Sequence, residues 1–426
     1  MKPIRLSYAS MLLVTLAACT QSGTGGESET QVVAEKVRQR IDSTLEQFVN
    51  SGKISGVSAL IFEGDREVYF GAYGYADREN KIPMDRRTIV KIYSMTKPIT
   101  GTALMTLFEK GAFQLDDPVA QYLPEFGDMQ VVIGVDELGN FQLQPPKRPM
   151  TIRDLTRHTA GFARGSEFPG LDSLIRTANP GNPENSLTQM AEKLGSIPLA
   201  FHPGERWAYG PSVDVQALLV ERLSGLPFDE YLKKAIFDPL KMETTRYYVP
   251  EEDRNRLAAM YRRAENDTLI RIPDEDAHVF NTAKWALTPG GYGLTSTLDD
   301  YMRFARMLVN EGTLEDAEIL KSTTVNLMAT NHLSDTITDR MWLPSKGQVG
   351  FGIDFAVRLR PPADVGENNG VVGEFFWDGA ASTLFWVDPV NDLTAVLFVQ
   401  LFPFDGIGLH KQFRDAIYGT YKPLTK

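Results

Sequence analysis

Ser94-Met95-Thr96-Lys97 is the only Ser-x-x-Lys in this chain of 426 residues. A serine hydroxyl attacks poorly until a neighbouring group takes its proton. Residues three apart on a helix share a face, so a helix opening here points Ser94 and Lys97 into one cleft. Pro98 is tolerated only near a helix start, which places that start close to Ser94. The amide end of the helix then favours negative charge developing beside the serine. A second group with suitable chemistry is Tyr209, in Pro203-Gly204-Glu205-Arg206-Trp207-Ala208-Tyr209-Gly210-Pro211-Ser212. A phenol ordinarily ionises at about pH 10 and an alkylammonium at about 10.4. Set side by side, each favours the charged form of the other, and either is then able to accept the serine proton. A third stretch, Trp377-Asp378-Gly379-Ala380-Ala381-Ser382-Thr383, runs into the strand-like Leu384–Asp388. A strand edge bordering a cleft offers a backbone N–H to an oxyanion. Taken singly, a packing tyrosine and a turn before an edge strand explain the last two as well.

Other chemistries find little support. The histidines are 158, 202, 278, 332 and 410, none in a recognisable Ser-His-Asp setting, and no Gly-x-Ser-x-Gly occurs. His158 reads as a local cap or packing residue. With no His-Glu-x-x-His and one cysteine, neither a metal site nor a cofactor is expected. Tyr93, Trp207, Tyr292 and Phe376 sit beside the three stretches, where they line an apolar acyl pocket or belong to the core.

The surrounding elements must hold these stretches together. Val33, Val37, Ile41, Leu45 and Phe48 recur at helical spacing, and Asn50-Ser51-Gly52 ends that helix. Val57–Phe62 and Glu67–Tyr73 flank Glu63-Gly64-Asp65-Arg66 and read as a β-hairpin. The helix from Ser94 carries Ile99, Ala103, Leu104 and Leu107 on one face and stops at Gly111. Residues 126–148 read as an irregular excursion with a small hairpin. Further helices are expected over Ile152–Arg157, Leu187–Gly195, Val213–Leu223 and Phe228–Phe237. Thr297 followed by Asp300 resembles a capping box opening a helix that turns Tyr301, Phe304, Ala305 and Leu308 inward. Single strands are expected over Gly352–Arg358, Thr383–Asp388 and Leu393–Leu401, then a last helix over residues 407–418. Mixed elements at both ends around a helix-rich middle imply an α+β fold. Its mixed lobe takes residues 32–115 and 286–421, with a helical lobe over 116–285 inserted.

Together the three stretches resemble the serine β-lactamase and penicillin-binding-protein superfamily, in particular the class C β-lactamase and family VIII carboxylesterase branch. The resemblance spans about residues 35–420. Met150-Thr-Ile-Arg-Asp-Leu-Thr-Arg-His-Thr-Ala-Gly161, Gly290-Gly-Tyr-Gly-Leu-Thr-Ser-Thr297 and Phe385-Trp-Val-Asp-Pro389 look equally familial. It implies the β-lactamase/transpeptidase-like fold, an antiparallel sheet flanked by helices with a cleft against the helical lobe. It also implies that Ser94 is acylated, that Lys97 and Tyr209 move its proton, and that the backbone N–H groups of Ser94 and Ala380 form the oxyanion hole. Trp377, Gly379, Trp207 and Tyr292 are the expected substrate contacts. Two departures bear on substrate. The family's Tyr-x-Asn has Pro211 in its third place, and the lysine or histidine opening the third motif is replaced by Trp377. Both remove polar recognition of a β-lactam or peptide terminus and leave acyl transfer intact. A carboxylesterase is therefore favoured. A β-lactamase, a D-amino-acid-specific peptidase, a transacylase and an inactive ligand-binding sensor are the competing readings.

Composition agrees with an enzyme of small ester or amide substrates. The net charge of −11 and the absence of a basic run exclude a nucleic-acid partner. Residues 1–18 carry Lys2 and Arg5 and then an apolar stretch from Met11, too short to span a bilayer, as in a signal peptide. They end in Leu16-Ala17-Ala18-Cys19, which resembles the bacterial lipobox. That resemblance implies lipidation at Cys19, with Thr20 after it in the manner of outer-membrane sorting. The polar, glycine-rich residues 19–31 read as a flexible tether to a membrane surface.

Overall fold

The computed structural model describes residues 31–162 and 168–423. The signal segment, Cys19 and nearly all of the tether therefore lie outside the described residues. The first helix, Glu35–Asn50 (α1), buries Ile41, Leu45 and Phe48, the apolar stripe read from the sequence. The hairpin Gly56–Glu63 (β1) and Arg66–Asp77 (β2) follows, with the short Ile82–Pro83 (β3) paired to β2. Thr96–Glu109 (α2) comes next and is buried over almost its whole length, so apart from Lys97 its buried residues are apolar or small on every face. The middle of the chain supplies Ile152–Thr156 (α3), Pro169–Ala178 (α4), Leu187–Gly195 (α5) and Ser212–Ser224 (α6). Leu298–Val309 (α7) then precedes five strands: Val349–Phe351 (β4), Ala356–Arg358 (β5), Phe375–Asp378 (β6), Leu384–Asp388 (β7) and Leu393–Phe398 (β8). Leu409–Tyr418 (α8) is the last helix.

These strands form one eight-stranded sheet in the order β4-β5-β6-β7-β8-β1-β2-β3, antiparallel throughout. The pairing of β8 with β1 joins strands from residues 349–398 to strands from residues 56–83. Side chains alternate across a strand, and β7 shows what that does here. Phe385 meets Tyr301 of α7 at 5.1 Å between ring centres, while Trp386 meets Phe413 of α8 at 5.6 Å. Helices therefore cover both faces of β7, which is buried along its full length.

Several boundaries differ from expectation. The apolar run Gly352–Arg358 is not one strand. Gly352–Phe355 is a turn, with Asp354 at φ +63°, that folds β4 back onto β5. The run Leu393–Leu401 breaks after Phe398, and Leu401–Phe402 pairs in parallel with Tyr261–Arg263. Phe228–Phe237 is a five-residue α-helix followed by a wider π turn from Lys233. At α7 only half of the capping box forms. Thr297 accepts from the Asp300 N–H, but the Asp300 carboxylate turns away to Thr244 N and Thr245 Oγ1.

Candidate active site

Ser94 lies in a tight 3₁₀ turn, Tyr93–Met95, that leads into α2. The Met95 N–H goes to Ile92 O and the Thr96 N–H to Tyr93 O, while the Ser94 N–H meets no protein acceptor among the described residues and is a ready donor. Tyr93 holds φ +46°, a conformation that costs a non-glycine residue about 1–3 kcal/mol. Its ring is fixed edge-on to Phe402 at 5.7 Å and under Lys91 Nζ at 5.1 Å. Burial pushes the Tyr93 phenol up to about 12 and the Lys91 ammonium down to about 8.

Lys97, one turn on, is 4% exposed. Its ammonium donates to Gly291 O at 2.7 Å and to Ser94 Oγ at 3.4 Å, and stands 4.5 Å from the centre of the Tyr209 ring. The loop carrying Gly291 is tightly fitted. Asp214 of α6 accepts the Gly291 N–H at 2.8 Å, and Thr100 donates to Gly290 O at 2.7 Å. A Cβ on Gly290 would lie 2.2 Å from Val213 O. Glycine here is a demand of close backbone packing against α6.

Tyr209 is held from behind. His158 lies 4.8 Å, Trp342 5.0 Å, Trp377 5.6 Å and Trp207 6.0 Å from its ring, centre to centre. Trp377 Nε1–H points at Tyr209 Oη across 3.4 Å, and Met341 Sδ accepts the Tyr209 N–H at 3.2 Å. The stretch 150–161 supplies the backing. His158 O takes the Ala208 N–H and Thr159 O takes the Gly204 N–H, so the approach to Tyr209 is pinned to that stretch at two points. Asp154, fully buried, accepts from Arg148, Arg157 and Thr159 and anchors that stretch.

Ser94, Lys97, Tyr209, Tyr292 and Ala380 line one cleft of about 570 Å³. Its far wall carries the apolar Phe162, Ile175, Leu194 and Ile197, with Asp172 and Arg176 of α4 beside them. Ala380 sits in the turn between β6 and β7. There Gly379 N–H goes to Thr383 O and Ser382 N–H to Gly379 O, while the Ala380 N–H meets no protein acceptor among the described residues.

Three expected substrate contacts are elsewhere. Trp207 and Trp377 are 0% and 1% exposed and stand behind Tyr209, so they support the phenol and do not reach the cleft. Gly379 is required by packing, since a Cβ there would lie 2.5 Å from Ile92 O and 2.2 Å from Thr383 Oγ1. Phe376 is core, and His158 packs as expected, although both of its buried ring nitrogens lack a partner. Burial, and next the Lys97 charge, hold that imidazole well below its usual range.

Sequence reasoning missed three groups. Asp214 follows Tyr209 by five residues, and its place in the first turn of a helix was the available signal. Asp354 is fully buried, accepts from Gln216 at 3.0 Å, and holds its other oxygen 2.6 Å from where a Cβ on Gly101 of α2 would stand. Burial raises its carboxyl well above the usual range, against the opposing pull of Gln216 and Lys97. Asp378 forms a buried ion pair with Lys346, whose ammonium also lies 4.1 Å from the centre of the Phe404 ring. This pair ties the segment carrying Met341 and Trp342 across Tyr209.

A family model for β-lactamases matches residues 41–417. The chain belongs to the β-lactamase family. An uncharacterized protein of Mycobacterium tuberculosis is 31% identical over 367 residues, covering 85% of this chain and 89% of that protein. Lovastatin esterase of Penicillium rubens is 29% identical over 412 residues, covering 89% and 98%. The solved structure of EstCE1, a hydrolase with promiscuous acyltransferase activity, superposes with a TM-score of 0.74 at 25% identity, covering 90% of this chain and 99% of that one. These likenesses bear out the expected fold and superfamily.

Proposed function

We propose that the protein is a carboxylesterase working through an acyl-enzyme on Ser94. The observation that carries this is the convergence of Ser94, the buried Lys97 and Tyr209 on one cleft whose far wall is largely apolar. Ser94 Oγ attacks the ester carbonyl while its proton passes into the Lys97–Tyr209 pair. The tetrahedral oxyanion lies between the Ser94 and Ala380 N–H groups. The pair returns the proton to the departing alkoxide, leaving alcohol and acyl-enzyme. Water then attacks and gives its proton to the same pair, which passes it to Ser94 Oγ as the acyl–Oγ bond breaks, releasing the acid and free Ser94. The esterase and acyltransferase names among the relatives support this chemistry. Pro211 offers the cleft no side-chain hydrogen bond, and Trp377 is buried, so a β-lactam or peptide terminus would lose its usual polar contacts.

The test uses protein starting after Thr20, p-nitrophenyl butyrate and a chromogenic cephalosporin. Many turnovers on the ester, absent in Ser94→Ala and Tyr209→Phe, are expected, with little cephalosporin hydrolysis. Faster cephalosporin than ester turnover would sink the esterase reading. We further propose that the enzyme is exported and anchored by lipid at Cys19 on the periplasmic side of an outer membrane. Lys2, Arg5 and Leu16-Ala17-Ala18-Cys19 support this. Among the described residues no helix is long and apolar enough to cross a membrane. Cys19→Ala should move the protein from the membrane to the soluble fraction, and an unchanged distribution would overturn the anchor.

A further inference from the structure

A second cavity of about 560 Å³ shares no lining residue with the catalytic cleft. That volume falls within the range of small-molecule sites. Phe237, Met242 and Leu287 are buried along its inner side, and the half-buried rings of Tyr248, Phe280 and Trp285 stand around them. Lys233 pairs with Asp238, and Arg246 with Asp253. Among the described residues Lys284 has no carboxylate partner, and its ammonium lies over the Tyr248 ring at 5.3 Å. Asp229 and Glu243 on the same rim are likewise without an ion pair. The lining holds three carboxylates, Asp229, Asp238 and Glu243, and three cations, Lys233, Arg246 and Lys284, so it selects neither sign and the aromatic walls define what fits: a flat aromatic body.

The cavity is joined to the chemistry by its own wall. Tyr247, which lines it, donates Oη–H to Pro289 O at 2.7 Å. Asn281 Nδ2 donates to both Tyr247 O and Gly293 O at 2.7 Å. A Cβ on Gly293 would lie 2.7 Å from the Phe280 ring, so the loop rests directly on that wall. Phe280 also touches Tyr292, which faces the cleft, at 5.8 Å between ring centres. The residues from Pro289 to Gly293 are thus gripped behind by Tyr247, Phe280 and Asn281. In front, Lys97 holds Gly291 O. A ligand wedged between Tyr248, Phe280 and Trp285 bears on the wall that sets the position of the lysine's partner.

We infer that this cavity is an effector site for an aromatic small molecule, and that its occupancy alters Ser94 reactivity through the Pro289–Gly293 loop. The inference rests on Ser94 and Lys97 being the reacting pair. The probes are indole, tryptamine and indole-3-propionate, titrated calorimetrically into protein starting after Thr20. Reactivity is read in two ways, as p-nitrophenyl butyrate turnover and as the rate of Ser94 labelling by a fluorophosphonate. The second does not depend on the protein being an esterase. At least one probe should bind one-to-one with a dissociation constant of about 1 mM or tighter. It should bind equally well after Ser94 is phosphonylated, and change the labelling rate by about fivefold or more. Ala283→Trp and Thr288→Trp fill the cavity from two sides and should abolish binding. Tyr247→Phe should keep binding and weaken the effect on labelling. No binding by any probe up to 10 mM (about tenfold beyond the expected constant) would overturn the site. So would binding that survives both tryptophan variants or is lost on phosphonylation. Binding with unchanged labelling would overturn the effector role. Normal labelling and binding without ester turnover would leave the site standing and refute the esterase reading instead.

Discussion

Gly290→Ala tests whether the Lys97–Gly291 contact organises the site. The new methyl would stand 2.2 Å from Val213 O, more than 1 Å inside ordinary contact, with Thr100 and Ala217 only 3.0 and 3.1 Å away. Val213 O is backbone on a buried helix, so the loop must move and α6 will not. A shift of about 1 Å takes the 2.7 Å bond from Lys97 to Gly291 O beyond hydrogen-bonding distance. A hydrogen bond from a charged group is worth about 1.5–3 kcal/mol, which converts to a fall of about 10- to 150-fold in kcat/KM. Destabilisation alone could mimic this, so the control is Gly312→Ala. There a Cβ would meet Leu320 O at 2.1 Å, in a turn that lines no part of the cleft. Both variants are assayed on p-nitrophenyl butyrate, with thermal unfolding measured alongside. The expected result is a loss of Tm in both, at least as large in Gly312→Ala because its φ of +102° adds strain, and a loss of kcat/KM in Gly290→Ala alone. A Gly290→Ala enzyme within about threefold of wild type would refute the role given to this loop.

Two further outcomes follow from buried charges. Asp354 keeps its proton in the folded state at pH values where the unfolded chain releases it. Its contribution to stability is therefore whole below the unfolded carboxyl pKa, near 3.8, and drains away as pH rises towards the raised folded value. Asp354→Asn cannot ionise and still accepts from Gln216, so its Tm relative to wild type should climb between pH 4 and pH 8. A pH-independent difference would show that Asp354 is ionised in place. Lys346→Met strands the buried Asp378 carboxylate and should cost about 3–5 kcal/mol in urea unfolding. Adding Asp378→Leu should recover most of that loss. Equal stability of the single and double variants would show that the pair is not coupled.

The pairing of Ser94 with Lys97 was legible because its message is local, whereas Tyr209 stood out only through the resemblance of its stretch to a family motif. A serine and a lysine three apart on a helix share a face whatever surrounds them, and Pro98 marks where that helix begins. The β1–β2 hairpin and α1 were legible for the same reason, since their apolar periodicity matches what the core buries. Trp207 and Trp377 were misplaced because proximity in sequence does not say which way a side chain points. On β6 alternate residues face opposite ways, and the pairing with β7 sends Trp377 beneath Tyr209 while Asp378 meets Lys346, 32 residues earlier. Asp354 stood in a run that alternates like a strand, and only the reversal of β4 onto β5 turns it into the core against Gly101. The types and spacing of residues thus determined the class of fold and the candidate reacting groups, because helix and strand periods are properties of the backbone itself. Which carboxylates are buried, which glycines are obligatory and where Lys97 finds its second partner were decided by contacts between segments far apart in the chain. Gly291 O reaches Lys97 across 194 positions, and close packing against α6 puts it there.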